Sequence, residues 1–147
     1  MEDNYNLQRF LSAQENSLDR VFLELNRGRK TGHWMWYIFP QLKGLGRSST
    51  AAFYAIQSKD EAIAYLNHPV LGPRLLECTK AVNAHDKLTA EHIFGYPDYL
   101  KFRSCMTLFE RIASNETLFS EALDKFYGGE PDERTLSILA RISHQRS

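Results

Sequence analysis

Apolar side chains recur at helical spacing along most of this chain, and this periodicity constrains the fold more than any other feature. One segment with the i, i+3, i+4, i+7 pattern of an amphipathic helix has a stripe formed by Leu18, Val21, Phe22 and Leu25. Gly28 follows the stripe and is a natural residue to end a helix. Comparable stripes occur further along the chain, so the sequence predicts a mainly α-helical protein of about seven helices.

A single domain can contain all of these helices. The chain has 147 residues, of which 43% are hydrophobic, and this size is typical of one domain. We therefore expect one compact multi-helix domain over residues 1–147, with its core over about 5–139. The first residues lack the basic-then-apolar layout of a secretory signal. The two cysteines are far apart in apolar helical patterns, which favours free thiols over a disulfide and predicts a cytoplasmic protein.

Charge and hydropathy argue against two classes of partner. Eighteen basic residues balance eighteen acidic ones, so the chain as a whole has no attraction for nucleic acid. No apolar run approaches the roughly 20 residues needed to cross a bilayer. We therefore predict neither a nucleic-acid nor a membrane partner. Salt-sensitive binding of DNA or RNA through a local basic patch would be evidence for a nucleic-acid partner.

The most unusual segment lies between residues 29 and 49. It contains both tryptophans, in the run WMWYIF, and two glycines, Gly44 and Gly46. The aromatic run fits either a short buried strand or a buried helix, because six residues are too few to separate the two periods. Pro40 ends that element, and the glycines predict a loop of unusual backbone freedom after it.

The same segment is rich in cations and free of acids. Between Arg27 and Lys59 there is no carboxylate, while Arg27, Arg29, Lys30, Lys43, Arg47 and Lys59 supply six positive charges. Ser48 and its neighbours open a predicted helix just after the glycines, with Ser49 or Thr50 as its cap. Backbone N–H groups at a helix start, with cations nearby, bind phosphate or carboxylate groups. The alternative is a solvated basic face beside a flexible loop.

Three side chains of the segment are candidates for chemistry. His33 is the candidate acid–base group, although a lone histidine is more often structural. Trp36 could stack on a planar ring such as a nucleobase, although a tryptophan packed in the core is the simpler interpretation. Gln41 could recognise such a ring by hydrogen bonds, although an amide buried in a turn is the simpler interpretation. Histidine and cysteine spacings do not fit zinc, and GLGRSS is neither a dinucleotide fingerprint nor a Walker loop. No metal and no cofactor is predicted.

One lysine interrupts the apolar face of a later helix. On a helical wheel over about Asp98 to Ser114, Lys101 falls between Leu108 and Ile112. Its stem could snorkel to water, or its ammonium could be aimed at an anionic group. If the second interpretation holds, three neighbours on this helix would join it in a ligand site, namely Arg103, Ser104 and Thr107.

Several strings resemble a known family. The run KTGHWMWYIFPQLKGLGRSS and the later strings HPVLGPRL and IFGYPDYLKFRSCMTLF resemble the bacterial DUF1810 family, also grouped as Rv1873-like proteins. The resemblance covers about Tyr5 to Leu139 and implies a mainly helical single domain. One departure is Gly32, where a serine is expected before the histidine. The family implies no reaction, because it is functionally uncharacterised.

These observations lead to two hypotheses of different classes. In the first, a pocket built on the aromatic stretch and the glycine loop binds a small anionic, nucleotide-like ligand, with hydrolase or transferase activity as a further expectation. Its predicted residues are His33 as the catalytic group and, for binding, Lys30, Trp36, Gln41, Gly44, Gly46, Ser48, Lys101, Arg103, Ser104 and Thr107. In the second, the aromatic stretch is a non-enzymatic docking surface for a protein partner, which predicts an exposed tryptophan.

Overall fold

The computed structural model describes residues 3–113 and 115–145, and side chains through residue 142. Within these ranges the chain forms ten α-helices and no extended strand. They are α1 Gln8–Glu15, α2 Leu18–Arg27, α3 Met35–Ile38, α4 Ser49–Tyr54, α5 Lys59–Asn67, α6 Leu71–Asn83, α7 Ala90–Phe94, α8 Asp98–Ile112, α9 Leu118–Tyr127 and α10 Glu133–Gln145.

The predicted fold class is confirmed, but the predicted number of helices is too low. The central stretch itself contains α3, a single helical turn over Met35–Ile38. Further along the chain, α7 over Ala90–Phe94 has only five residues. Both are shorter than the window over which a helical period can be recognised. Among the described residues, no helix is long and apolar enough to span a bilayer.

Local signals fix most helix ends. Gly28 and Gly128 end α2 and α9 in the left-handed conformation that glycine adopts without steric cost. The Ser58 hydroxyl accepts the Glu61 N–H at the start of α5, as predicted. The helix predicted over about Asp98 to Ser114 corresponds to α8, which ends at Ile112. Ser114 lies outside the described residues.

The predicted cap of α4 is wrong, and the serine before α2 does not act as a side-chain cap. Ser17 makes no cap bond to α2, because its hydroxyl instead donates to the Ala13 carbonyl. Helix α4 is capped by Ser48, which accepts the Ala51 N–H, and not by the residues that follow it. At α4 more than one hydroxyl was available, and the backbone path decided which one reached the free N–H groups.

Helix α8 forms the centre of the core. It packs against α5, α7, α9 and α10, and Phe102, Met106 and Phe109 on it are fully buried. Phe39, directly after α3, meets Phe102 edge to face with ring centroids 4.9 Å apart, an arrangement that aromatic quadrupoles favour. The aromatic stretch is therefore fixed to the central helix by its own rings.

Candidate functional site

A buried carboxylate from α2 organises the start of the central stretch. Oε1 of Glu24 accepts hydrogen bonds from the Thr31 N–H at 2.8 Å, the Gly32 N–H at 2.9 Å and the Trp34 indole N–H at 2.9 Å. Oε2 accepts the Thr31 hydroxyl and the Arg20 Nε–H, each at 3.0 Å. The acid-free segment thus receives a negative charge from inside the protein.

The pKa of Glu24 reflects this arrangement. Burial acts to raise it, since only 2% of Glu24 is exposed. The hydrogen bonds from Gly32, Thr31, Trp34 and Arg20 outweigh burial and lower the pKa from 4.5 to about 2. A Cβ on Gly32 would lie 2.8 Å from Cδ1 of Trp34, so a larger residue there would force the indole ring to shift.

A second internal carboxylate joins the two predicted lysines. Oδ2 of Asp98 pairs with Nζ of Lys30 at 2.7 Å, and Oδ1 pairs with Nζ of Lys101 at 3.6 Å. Lys30 also donates to the Gly32 carbonyl at 2.5 Å and lies over the Trp34 ring. Two cations therefore share one carboxylate, and Lys30 is held far more closely than Lys101.

Three of the predicted site residues, Trp36, Gln41 and Lys101, come together in the fold. They line a crevice together with Met35, Phe39, Ala51, Tyr54 and Ala55. Nζ of Lys101 lies 5.2 Å from the Trp36 ring centroid, within range of a cation–π contact. The crevice has a volume of about 10 Å³, enough for roughly one water molecule. A nucleotide-like ligand does not fit here.

The glycine loop separates this crevice from a larger groove. Ile56 donates its N–H to the Gln41 carbonyl, and the Lys43 N–H donates to the Ile56 carbonyl, each at 2.9 Å, so the start of the loop is anchored. Gly46 packs closely on α4: a Cβ on it would lie 2.5 Å from Cβ of Ala51. Gly44 has φ +89°, a conformation that L side chains rarely adopt.

The groove lies between Gly44 and α10 and has a volume of about 510 Å³. Its described lining consists of Lys43, Gly44, Glu133, Arg134, Ser137, Ile138, Arg141 and Ile142. Three cations face one carboxylate, and two nearly buried isoleucines form an apolar floor. Nη2 of Arg134 donates to the Gly44 carbonyl at 3.1 Å, which fixes that guanidinium against the loop.

Three predicted binding residues have structural bonds elsewhere. Arg103 donates to the Glu130 carbonyl, and the Ser104 hydroxyl to the Leu100 carbonyl. The Thr107 hydroxyl is fully buried, donates to the Arg103 carbonyl and accepts the Asp132 N–H. None of the three lines the crevice or the groove. They share a helix with Lys101, but their side chains are committed to α8 and to the segment before α10.

His33 and Ser48 lie outside both concavities as well. His33 is exposed and is not a lining residue of the crevice or the groove. Ser48 uses its hydroxyl to cap α4. The tryptophans do not form an exposed patch: Trp34 is 1% exposed, and Trp36 is half-buried beneath Lys101.

No pattern in the sequence indicated that α10 would form one wall of the groove. Arg134 and Arg141 lie some ninety residues beyond the loop they face, and such long-range pairing leaves no local pattern. Glu24 was also missed as an organising residue, although its position was informative. A carboxylate that lies beside an apolar stripe and precedes an acid-free segment is a candidate to be paired inside the fold.

Comparisons with known proteins agree on the family. The family model described as a protein of unknown function, DUF1810, matches residues 4–139. The crystal structure of the conserved hypothetical protein Rv1873 from Mycobacterium tuberculosis is similar, with 51% sequence identity and a TM-score of 0.93. That match covers 94% of this chain and 99% of the other. No curated protein matches the chain.

The fold is therefore that of a small all-helical domain whose central aromatic turn is held by buried carboxylates. The chain belongs to the DUF1810 family, which confirms the resemblance seen in its sequence.

Proposed function

We propose that this protein binds a small organic phosphomonoester in the groove between the glycine loop and α10. The observation that carries the proposal is the convergence of Lys43, Arg134 and Arg141 on one ligand-sized cavity, whose described lining contains one carboxylate, Glu133. Three cations against one anion leave two positive charges. A phosphomonoester carries close to two negative charges at pH 7, so it matches the groove in charge.

The groove also suits the rest of such a ligand. Ligand sites commonly occupy about 300–1,000 Å³ and combine an apolar surface with a few placed polar groups, and this groove measures about 510 Å³. Ile138 and Ile142 offer apolar contact to a sugar or a base. Arg134 is held at the Gly44 carbonyl, so its remaining N–H groups are oriented in advance for a bidentate contact with phosphate.

Binding is better supported than catalysis. The described residues of the groove include no histidine, and His33 is outside it. A hydrolase or transferase activity would need an acid–base group, and Glu133 is the titratable acid nearest the proposed phosphate. Turnover of a bound ligand by the protein, abolished in Glu133→Gln, would assign the chemistry to this groove.

A thermal-shift panel of nucleoside monophosphates, ADP-ribose and sugar phosphates tests binding. A ligand at 100 times its Kd stabilises the native state by about 2.7 kcal/mol. For a domain of this size that corresponds to a rise in Tm of roughly 5–10 °C. The effect should weaken with added salt, because the lining cations are exposed.

Matched variants locate the site. Arg134→Gln and Arg141→Gln each remove one charged contact and should weaken binding by about tenfold. Arg29→Gln removes an exposed cation of the same basic segment outside the groove and should leave Kd unchanged. A cooperative melt that no compound on the panel shifts would refute the proposal, as would equal affinities in wild type and Arg134→Gln.

A further inference from the structure

The crevice beside Trp36 contains donors that the rest of the fold does not use. Within the described part of the chain, neither the Lys101 ammonium nor the Gln41 side-chain amide donates a hydrogen bond to another residue. Nζ of Lys101 lies 3.6 Å from Oδ1 of Asp98 and makes a cation–π contact with the Trp36 ring. A charge-assisted hydrogen bond would be about 2.7–2.9 Å, so the ammonium keeps its donors available.

The immediate partner of Lys101 is already occupied. Asp98 is bound at 2.7 Å by Lys30, which is 8% exposed at its side chain and bonded to the Gly32 carbonyl as well. The surroundings of the crevice therefore carry two ammonium groups against one carboxylate, a surplus of one positive charge. Among the lining residues, the only ionised group at neutral pH is Lys101 itself.

We propose that the crevice is a second ligand site, for a monoanionic carboxylate. One carboxylate oxygen would enter between the Lys101 ammonium and the Gln41 amide, above the edge of Trp36. The volume of the crevice, about 10 Å³, matches a single ligand oxygen. The charge argument agrees, since a monoanion neutralises the surplus and a dianion would face Asp98 with an uncompensated charge.

The loop holds the amide donor in place for this role. A Cβ on Gly46 would lie 3.5 Å from Nε2 of Gln41 and 2.5 Å from Cβ of Ala51. The Gln41 carbonyl is fixed by the Ile56 N–H. The donor therefore belongs to a residue with an anchored backbone, and its Nε2 lies beside Gly46. The site is separate from the groove, with which it shares no lining residue.

Sodium formate and sodium acetate are the probes, followed by nuclear magnetic resonance of the Gln41 side-chain amide and the Trp36 indole N–H. Titration at constant ionic strength should shift both resonances with one saturable Kd, and Lys101→Met should abolish the shifts while keeping the apolar stem. Lys80→Met, an exposed lysine on α6, is the matched control and should titrate like wild type. A peptide ending in a free carboxylate, compared with its amidated form, distinguishes a free acid from a chain terminus as the source.

Asp98→Asn provides the sharper test, because it raises the surplus from one charge to two without replacing a residue that lines the crevice. It should tighten formate binding by roughly threefold, and the cooperative melt of each variant verifies that it is folded. Unchanged or weaker binding in Asp98→Asn would overturn the proposal. Resonance shifts that persist in Lys101→Met would also overturn it. The same holds if chloride shifts the resonances as strongly as formate does, because the shifts would then report a general effect of ions and not a carboxylate site.

Discussion

Replacing Glu24 with glutamine should remove a large and pH-dependent part of the stability of this fold. The carboxylate accepts five hydrogen bonds at 2.8–3.0 Å from the α2–α3 connection, Trp34 and Arg20. A glutamine can keep the three bonds made by Oε1. It loses the charge that strengthens them, and its NH2 group faces the Arg20 donor.

The pKa of Glu24 sets the magnitude. The pKa is lowered in the folded protein from 4.5 to about 2, and each unit is worth about 1.4 kcal/mol, so the carboxylate contributes about 3 kcal/mol near neutral pH. A lowered carboxyl pKa gives stability that is complete above the unfolded value and is lost as pH falls toward the folded one. Between pH 7 and pH 3 the wild type should therefore lose about 2 kcal/mol through this residue.

Urea denaturation at pH 7 and pH 3 measures both effects. At pH 7, Glu24→Gln should cost about 2–3 kcal/mol in the free energy of unfolding. At pH 3 the difference from wild type should shrink by about 2 kcal/mol, since the variant has no carboxyl group to protonate. Glu15→Gln, an exposed residue of α1, is the control. The reasoning is refuted if Glu24→Gln costs no more than the control, or if its deficit is the same at both pH values.

Two further predictions concern packing and thiols. Gly46→Ala should cost about 1–3 kcal/mol, because its Cβ would lie 2.5 Å from that of Ala51. Gly128→Ala, where a Cβ meets nothing within 4 Å, should cost about 1 kcal/mol for its left-handed backbone. A smaller loss of unfolding free energy in Gly46→Ala than in Gly128→Ala would contradict this. Burial raises the pKa of Cys78 to about 12 and that of Cys105 well above its usual range. Both thiols should therefore resist alkylation by iodoacetamide at pH 8 until the protein is unfolded, and rapid labelling of the native protein would show that the cysteines are accessible.

The features that sequence predicted are those that depend on short-range interactions. Gly28 ends α2 and Gly128 ends α9 because each supplies a left-handed residue within a few positions of the helix. The unusual place of Lys101 was also visible, since its position on the wheel follows from the helical period alone. The contact of its ammonium with Trp36 depends on how α8 packs against the aromatic stretch and was not visible in the period.

The features that sequence missed depend on groups that meet only after folding. The basic segment contains no acid, yet it is neutralised in part by Glu24 from the preceding helix and by Asp98 from α8. The predicted pocket divides into two because the glycine loop is anchored to Ile56 and packed on α4. Arg103 and Thr107 were predicted to bind ligand because they are close to Lys101 in sequence. Their side chains instead make structural hydrogen bonds to the Glu130 carbonyl and the Asp132 N–H.

Calorimetric titration of the best phosphomonoester from the panel into wild type and the Arg134→Gln, Arg141→Gln double variant tests most directly whether the groove at Gly44 is a ligand site. We expect one saturable site in the wild type, and a Kd about a hundredfold weaker in the double variant if the two contacts contribute independently. Equal affinities in the two proteins would contradict the proposal that this groove binds an organic phosphate. A heat signal that does not saturate when the ligand is added to the wild type would contradict it as well.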